Sequence, residues 1–554
     1  MIFRATLFLL LLACWLPFAT AARFIAVVPQ AAGAARGDYL TAAAEQAARP
    51  PVSGEAADPL WLEYLAAWQQ HFDDPADTQV RQRLGLPVAE AVTVQVGDGA
   101  STARSLARSL RVRWKEPLRV ETEHFLILAD APREAAIEIA TDLERYFAVW
   151  TQLFFPLWKD RQRWDQTSRR PVTRGAVMGG KLRVVVFRDP DQYAAALAAE
   201  GPAISRSTGY YSSSARLMLL RQSRSGEDAD EATATRYHEL THQLLAEATD
   251  SRLRVPPGER QDFWLLEGIA CYMESTTIEG GRATIGGWEA SRLQFARHRA
   301  LVSGQTLPLQ QLQPLGRHAF QRHAELAQLY AFASAYCHQV IDRNAGDGLI
   351  DMLVRLAKLY QVRITGTPLP SDADEANLVD YLRLDDSRLT PVNRDNLLDL
   401  CLARCPLQPE SLRRIAPQHS LNWLDLTGLP VEVADVTRLC PNPATLRQLS
   451  LEATAVDDEL ADWLSGAEAL QELDLSWTRV GDACLASLPA KAPLETLWLT
   501  GAQVSDRSLE RIAAIKSLQR VDLQRTAVSA AGRQRFRQLR PDVTLDPLEL
   551  VAAP

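Results

Sequence analysis

A surplus of basic charge is missing from this chain of 554 residues, in which 60 Lys and Arg stand against 68 Asp and Glu for a formal charge of -8. Nucleic-acid binders carry a cationic footprint that displaces counterions, so that class of partner is not indicated. Cysteine is also scarce, seven in all, which excludes a disulfide scaffold at this length. Beyond Cys14 they are Cys271, Cys337, Cys401, Cys405, Cys440 and Cys484. No pair has the CxxC spacing of a zinc knuckle, Cys401 and Cys405 are the nearest pair, and buried free thiols are expected. Apolar runs of membrane-spanning length are absent past the amino terminus. There, Arg4 precedes an apolar run from Leu7 through Phe18, and Ala19-Thr20-Ala21 supplies a small-x-small cleavage site. This is the pattern of a secretory signal peptide over residues 1–21. An uncleaved anchor is the rival, disfavoured because the run is short and broken by Pro17. Leu11-Leu12-Ala13-Cys14 also loosely matches a lipidation site at Cys14, with very little apolar sequence before it. The expected location is extracytoplasmic: periplasmic, cell-surface or secreted.

Histidine is rare, nine residues in all, yet two of them fall in His238-Glu239-Leu240-Thr241-His242. Such a match arises by chance on the order of once in a hundred chains of this make-up. Residues four apart share a helix face, so both imidazoles can reach one ion with Glu239 beside them. Gly and Pro are absent from Glu231 to Asp250, as a helix requires. The bland alternative is a surface helix with two solvated histidines. Against it stands a third ligand candidate in Trp264-Leu265-Leu266-Glu267-Gly268-Ile269-Ala270-Cys271-Tyr272-Met273-Glu274.

On these two motifs the chain resembles the gluzincin metallopeptidases, the superfamily of thermolysin and aminopeptidase N. Its aminopeptidase branch follows HExxH with a W-L-x-E-G-x-A-x-Y-x-E helix. The resemblance implies that His238, His242 and Glu267 bind zinc and that Glu239 is the general base. Two His and one carboxylate leave a fourth position open to water, the arrangement of catalytic rather than structural zinc. Glu274 is either a support for the ligands or a helix-face carboxylate. A metzincin would continue with xxGxxH, whereas Gln243-Leu244-Leu245-Ala246-Glu247-Ala248 follows here. For the oxyanion, the resemblance points to Tyr330, at the start of an apolar helical run, with Tyr336, Tyr272, His323 and His338 as rivals. The branch's Gly-x-Met-Glu-Asn strand, whose Glu grips a free amine, has no counterpart in residues 207–220, so endopeptidase or other amide hydrolysis is expected over aminopeptidase action. Leu217 to Leu220 is the expected sheet edge for an extended peptide.

Length suggests about two to four domains. Residues 22–115 are Ala-rich and read as helical, with Trp61, Leu62, Tyr64, Leu65 and Trp68 as a buried face. From Pro117 the pattern is strand (119–128), helix (133–155), strand (182–187), helix (to 198). That is the order expected of a gluzincin upper lobe, with helices from Asp262 to about Leu359 as the lower lobe. A metallopeptidase domain is thus expected over 116–360, then a linker or repeat cap over 361–395. The last third repeats: Leu446-x-x-Leu449-x-Leu451, Leu470-x-x-Leu473-x-Leu475, Leu494-x-x-Leu497-x-Leu499 and Leu518-x-x-Val521-x-Leu523 recur every 24 residues. Leu421-x-x-Leu424-x-Leu426 and Leu397-x-x-Leu400-x-Leu402 precede them. This is the leucine-rich-repeat signature, expected over 396–548 as an α/β solenoid. Its concave columns read Cys401, Asp425, Ser450, Asp474, Trp498, Asp522 and Asp399, Trp423, Gln448, Glu472, Thr496, Arg520. They form either a protein-binding face or a solvated spacer. The overall expectation is an α+β protein: an exported zinc metallopeptidase with peptide or protein substrates. The alternative is a scaffold acting through its repeats.

Overall fold

In the computed structural model the protein mixes helix and sheet. The structure describes residues 26–30, 59–84 and 94–99 (75 aside), 114–162 (115 aside), 180–198, 207–222, 229–249, 253–342 (254, 280 and 281 aside), 348–364 and 375–546 (490 aside). The expected signal peptide, with Cys14, lies outside the described residues, as does the side chain of Leu62. No described helix is long and apolar enough to cross a membrane.

The elements that position the site are, in chain order, β1 (Ala26–Gln30), α1 (Pro59–Asp73), β2 (Gln95–Asp98), β3 (Leu118–Glu121), β4 (Phe125–Asp130), α2 (Arg133–Leu153), β5 (Leu182–Phe187), β6 (Gly209–Ser212) and β7 (Leu217–Arg221). They are followed by α3 (Ala229–Thr249), α4 (Phe263–Glu274), β8 (Thr277–Glu279), β9 (Arg282–Gly286), α5 (Ser291–Leu301), α6 (Leu326–Ile341) and α7 (Gly348–Tyr360). Six strands form a mixed sheet in the order β2-β3-β4-β5-β7-β6. Val184, Val185 and Val186 of central β5 are buried on both faces, as a strand flanked by parallel neighbours requires. α2 lays Ile139, Leu143, Phe147 and Trp150 into the core at helical spacing.

Four expectations need correction. Residues 119–128 are two antiparallel strands, because Thr122 turns the chain: its N–H donates to the Phe125 carbonyl at 3.0 Å and its Oγ1 accepts from Phe125 N at 3.1 Å. Region 22–115 is not wholly helical. α1 does bury Trp61, Tyr64, Leu65 and Trp68, but β2 pairs with β3 and β1 runs parallel to β9. Val94-Gln95-Val96 has the alternation of a strand with one face against a core. The helical lower layer is likewise interrupted by the β8–β9 hairpin. Finally, Leu217–Leu220 is not a sheet edge: β7 lies between β5 and β6, which leaves β6 outermost.

The last third is a seven-stranded, all-parallel sheet in strict sequence order, β10 (Asp399–Cys401), β11 (Trp423–Asp425), β12 (Gln448–Ser450), β13 (Glu472–Asp474), β14 (Thr496–Trp498), β15 (Arg520–Asp522) and β16 (Thr544–Leu545). The middle residues Leu400, Leu424, Leu449, Leu473, Leu497 and Val521 are in register and buried. Each contributes about 1.5–3 kcal/mol by leaving water. Each strand from β10 to β15 is followed by a left-handed residue, at Arg404, Gly428, Ala453, Trp477, Gly501 and Arg525; glycine is free of strain there at 428 and 501. An aspartate ladder ties successive turns: Asp458, Asp482 and Asp506 each accept from the backbone N–H of Gly481, Ser505 and Ser529, at 2.7, 2.9 and 2.8 Å.

The repeats form their own hydrophobic core, joined by Trp288. Its indole N–H donates to the Thr390 carbonyl at 3.1 Å. All six described cysteines are buried free thiols. The expected concave columns are not uniformly open. Helix α5 seats on β10 and β11, so Cys401 and Asp425 are fully buried.

Candidate metal centre

Helix α3 is fastened on its back face before its front can serve as a site. Tyr237 Oη donates to Asp142 at 2.6 Å, Arg236 pairs with the same carboxylate at 2.8 Å, and Tyr146 Oη meets Thr241 Oγ1 at 2.5 Å. Leu240 and Leu244 are buried alongside. The opposite face then presents His238 and His242, one turn apart.

Helix α4 is buried along nearly its whole length. Gly268 makes this packing feasible. A Cβ there would lie 2.5 Å from the Ala333 carbonyl oxygen and 2.6 Å from Cys337 Sγ on α6. The close α4–α6 crossing places Glu267, the preceding residue, against the two histidines.

Three atoms converge. His238 Nε2 and His242 Nε2 are 3.1 Å apart, and Glu267 Oε2 lies 3.2 and 3.5 Å from them. Bonds of about 2.0–2.1 Å to a tetrahedral ion place its ligand atoms about 3.3–3.4 Å apart, so the triangle fits one. Glu267 Oε2 is buried and makes no hydrogen bond of sound geometry, a costly state for a carboxylate oxygen that a cation relieves. His238, His242 and Glu267 can therefore hold a metal ion.

The surroundings orient these ligands. His238 Nδ1 meets Glu274 Oε1 at 2.8 Å, which fixes the tautomer that frees the Nε2 lone pair. Glu274 is in turn gripped by Arg292, Nε to Oε2 at 3.1 Å and Nη2 to Oε1 at 3.4 Å. Burial opposes its ionisation, but Arg292 and His238 hold the Glu274 carboxyl down at about 2. Burial likewise opposes a charge on Glu267, and His242 and His238 beside it outweigh that and lower its pKa. The same neighbours push His238 well above the usual imidazole range: burial disfavours the cation, while bonds to Cys271, Glu267 and Glu274 outweigh it, so a metal ion binding at Nε2 displaces a proton. Cys271 Sγ lies 3.9 Å from His238 Nδ1; burial raises its thiol to about 11, so it stays protonated.

Glu239 faces the outer strand of the sheet, where its Oε2 accepts from Tyr211 N at 2.7 Å. Tyr330 stands on the other side, its ring centroid 6.3 Å from that of His238. Burial, then the charges of Glu267, Cys271 and Glu239, hold its phenol well above the ordinary value, so Tyr330 remains an O–H donor. The four rivals are placed otherwise. Tyr336 Oη donates to the Leu307 carbonyl at 3.1 Å, Tyr272 and His338 pack edge to face at 4.6 Å between centroids, and His323 is exposed.

Of the residues singled out in the sequence, the structure brings His238, His242 and Glu267 together, with Tyr330 beside His238 and Glu239 turned to Tyr211 on the outer strand. Arg292 was missed; it lies outside both motifs, and no spacing connects it to Glu274. Among known proteins, the chain matches no protein-family model and no curated relative.

Proposed function

We propose that this chain is an exported zinc-dependent metallopeptidase of gluzincin type, carrying a leucine-rich-repeat solenoid after its catalytic domain. The observation that carries the reading is the triangle of His238 Nε2, His242 Nε2 and Glu267 Oε2 at 3.1, 3.2 and 3.5 Å. A two-His, one-carboxylate set suits zinc and leaves a coordination position open. Zinc bound there supplies a Lewis acid that polarises a carbonyl and acidifies water.

The protein's own groups do the rest. Glu239 has one oxygen anchored by Tyr211 N–H, which leaves Oε1 to take the proton from water and pass it to the leaving amine. Tyr330 O–H donates to the oxygen on which negative charge develops. The substrate is a peptide in extended form lying along β6. Thr208 O accepts from Arg221 N inside the sheet, so by alternation Gly209 and Tyr211 turn their backbone groups outward; the Tyr211 N–H serves Glu239, and the Tyr211 carbonyl faces the substrate side. No acidic residue in β6 awaits a free amine, in keeping with endopeptidase action.

Metal analysis of the purified protein tests this. About one zinc per chain is expected in the wild type and in Glu239→Gln, and none in Glu267→Ala. Glu239→Gln should also lose about 10²–10⁴-fold in peptide hydrolysis. A wild type that takes up no zinc would sink the enzyme reading. Hydrolysis unaffected by Glu239→Gln would remove Glu239 from the mechanism, and a zinc-loaded wild type with no hydrolysis would leave the scaffold reading, in which the repeats alone do the work.

A further inference from the structure

Helix α5 touches both the candidate metal centre, through Arg292 in its first turn, and the repeat sheet, through side chains along its length. Its first residues, Ser291 and Arg292, point different ways: Ser291 Oγ hydrogen-bonds Asp399 of β10, while Arg292 holds Glu274. Further along, Arg297 donates to the Cys401 carbonyl at 2.8 Å and to the Leu382 carbonyl at 2.9 Å. His298 Nδ1 meets Asp425 Oδ2 at 2.7 Å, and the imidazole packs edge-on against Trp423. His298, Cys401 and Asp425 could hold a cation, but the direct imidazole–carboxylate bond and the Arg297 guanidinium on the Cys401 carbonyl make this a docking contact instead.

We propose that Arg292 is a positioning residue for the metal centre, held in place by the docking of its helix on the first two strands of the repeat sheet. The proposal rests on the metallopeptidase reading above. Arg292 contacts two separate parts of the machinery. Its fork on Glu274 fixes the carboxylate that sets the tautomer and ring orientation of His238. Its guanidinium also lies 5.5 Å from the centroid of the Tyr330 ring, an attractive placement for a cation on an aromatic face. One side chain thus sets the metal ligand and the oxyanion donor relative to each other. The side chains that dock α5 on β10 and β11, together with its packing on α6, fix its position. The leucine-rich repeats are accordingly part of the catalytic scaffold, over and above any partner they bind.

The experiment uses the full chain. Zinc affinity is measured by competition with a chromophoric chelator, and ligand geometry by the visible spectrum of the cobalt-substituted protein, alongside kcat and KM. Arg292→Ala should bind zinc at least about tenfold more weakly, with an altered cobalt spectrum and lowered kcat. Arg292→Lys, which keeps a cation beside Glu274, should recover most of the affinity. Asp425→Asn, remote from the ligands, keeps an acceptor for Thr427 N (3.0 Å from Oδ1 in the wild type) and should weaken zinc binding by about threefold. Arg292→Ala with wild-type zinc affinity and spectrum, changed only in KM, would overturn the proposal and make Arg292 a substrate contact. Undiminished affinity in Asp425→Asn would overturn the part played by the repeats. A wild type that binds no zinc would overturn both this inference and the function on which it rests.

Discussion

The repeat sheet and the metal centre are ordered on different length scales. In the repeats, the partners of each strand lie one unit away in the chain, and the same leucine position is buried in every unit. The candidate metal centre draws on α3, α4, α5 and α6, spread over about a hundred residues, and each donates one to three side chains. Stability in the first is a sum of similar neighbour terms. In the second, the arrangement of the site depends on single contacts that nothing else duplicates. A substitution in the repeats beyond β11, away from the docking of α5, should therefore lower stability and leave the candidate site intact, and one among the site side chains should be felt mainly at the site.

The largest expected effect lies in the repeats. Leu473→Ala empties a fully buried site in β13 and should cost about 2–5 kcal/mol in urea unfolding. Zinc content should not change, because α5 docks on β10 and β11, two strands away. Loss of zinc at native conditions would show that the two regions do not separate in this way. Next, Tyr330→Phe should lower kcat about 10²-fold with zinc affinity and unfolding midpoint kept; an unchanged kcat would assign the oxyanion to another donor.

Gly268→Ala joins the two scales. Its methyl would press on the Ala333 carbonyl at 2.5 Å, so α4 and α6 must part. A cost of about 1–3 kcal/mol is expected, together with weaker zinc binding as Glu267 shifts. Full retention of zinc affinity would mean that the helix crossing does not set the ligand. The smallest effect is electrostatic. Burial, reinforced by Glu452 and Asp425, raises the Asp474 carboxyl to about 6 against the hydrogen bond from Ser476. The folded state then holds this proton more tightly than the unfolded chain, so its contribution disfavours folding increasingly as pH rises from about 4 through 6. Asp474→Asn should stabilise the protein by about 1 kcal/mol at pH 7.5 and leave it unchanged near pH 3. Equal effects at both pH values would rule out this titration as the cause.

Much of the site could be read in advance because its ligands sit on two helices whose periodicity is local. His238 and His242 are one turn apart, and Glu267 precedes a glycine in an apolar run that only a buried helix accommodates. The 24-residue period likewise marked which leucines share a column. Arg292 carried no such mark, since its partner Glu274 is eighteen positions earlier on a different helix. The edge strand was misjudged although Leu217–Leu220 is an unbroken apolar run, the pattern of a strand buried on both faces, and Gly209–Ser212 is more polar. Which of them lies outermost depends on where β5 ends the parallel pairing. The open concave face was overestimated for the same reason: Cys401 and Asp425 are polar or small enough for a surface, and only the arrival of α5 buries them.

The sequence by itself marked the candidate ligands, the helices that bear His238, His242 and Glu267, and the repeat register, because each follows from spacing along a single element. Tertiary structure alone decided the 3.1–3.5 Å triangle, the Arg292–Glu274–His238 chain and the seating of α5 on the repeats. Those are distances between elements, fixed by how closely Gly268 lets two helices approach and by which buried polar groups find partners, and no periodicity within one element encodes them.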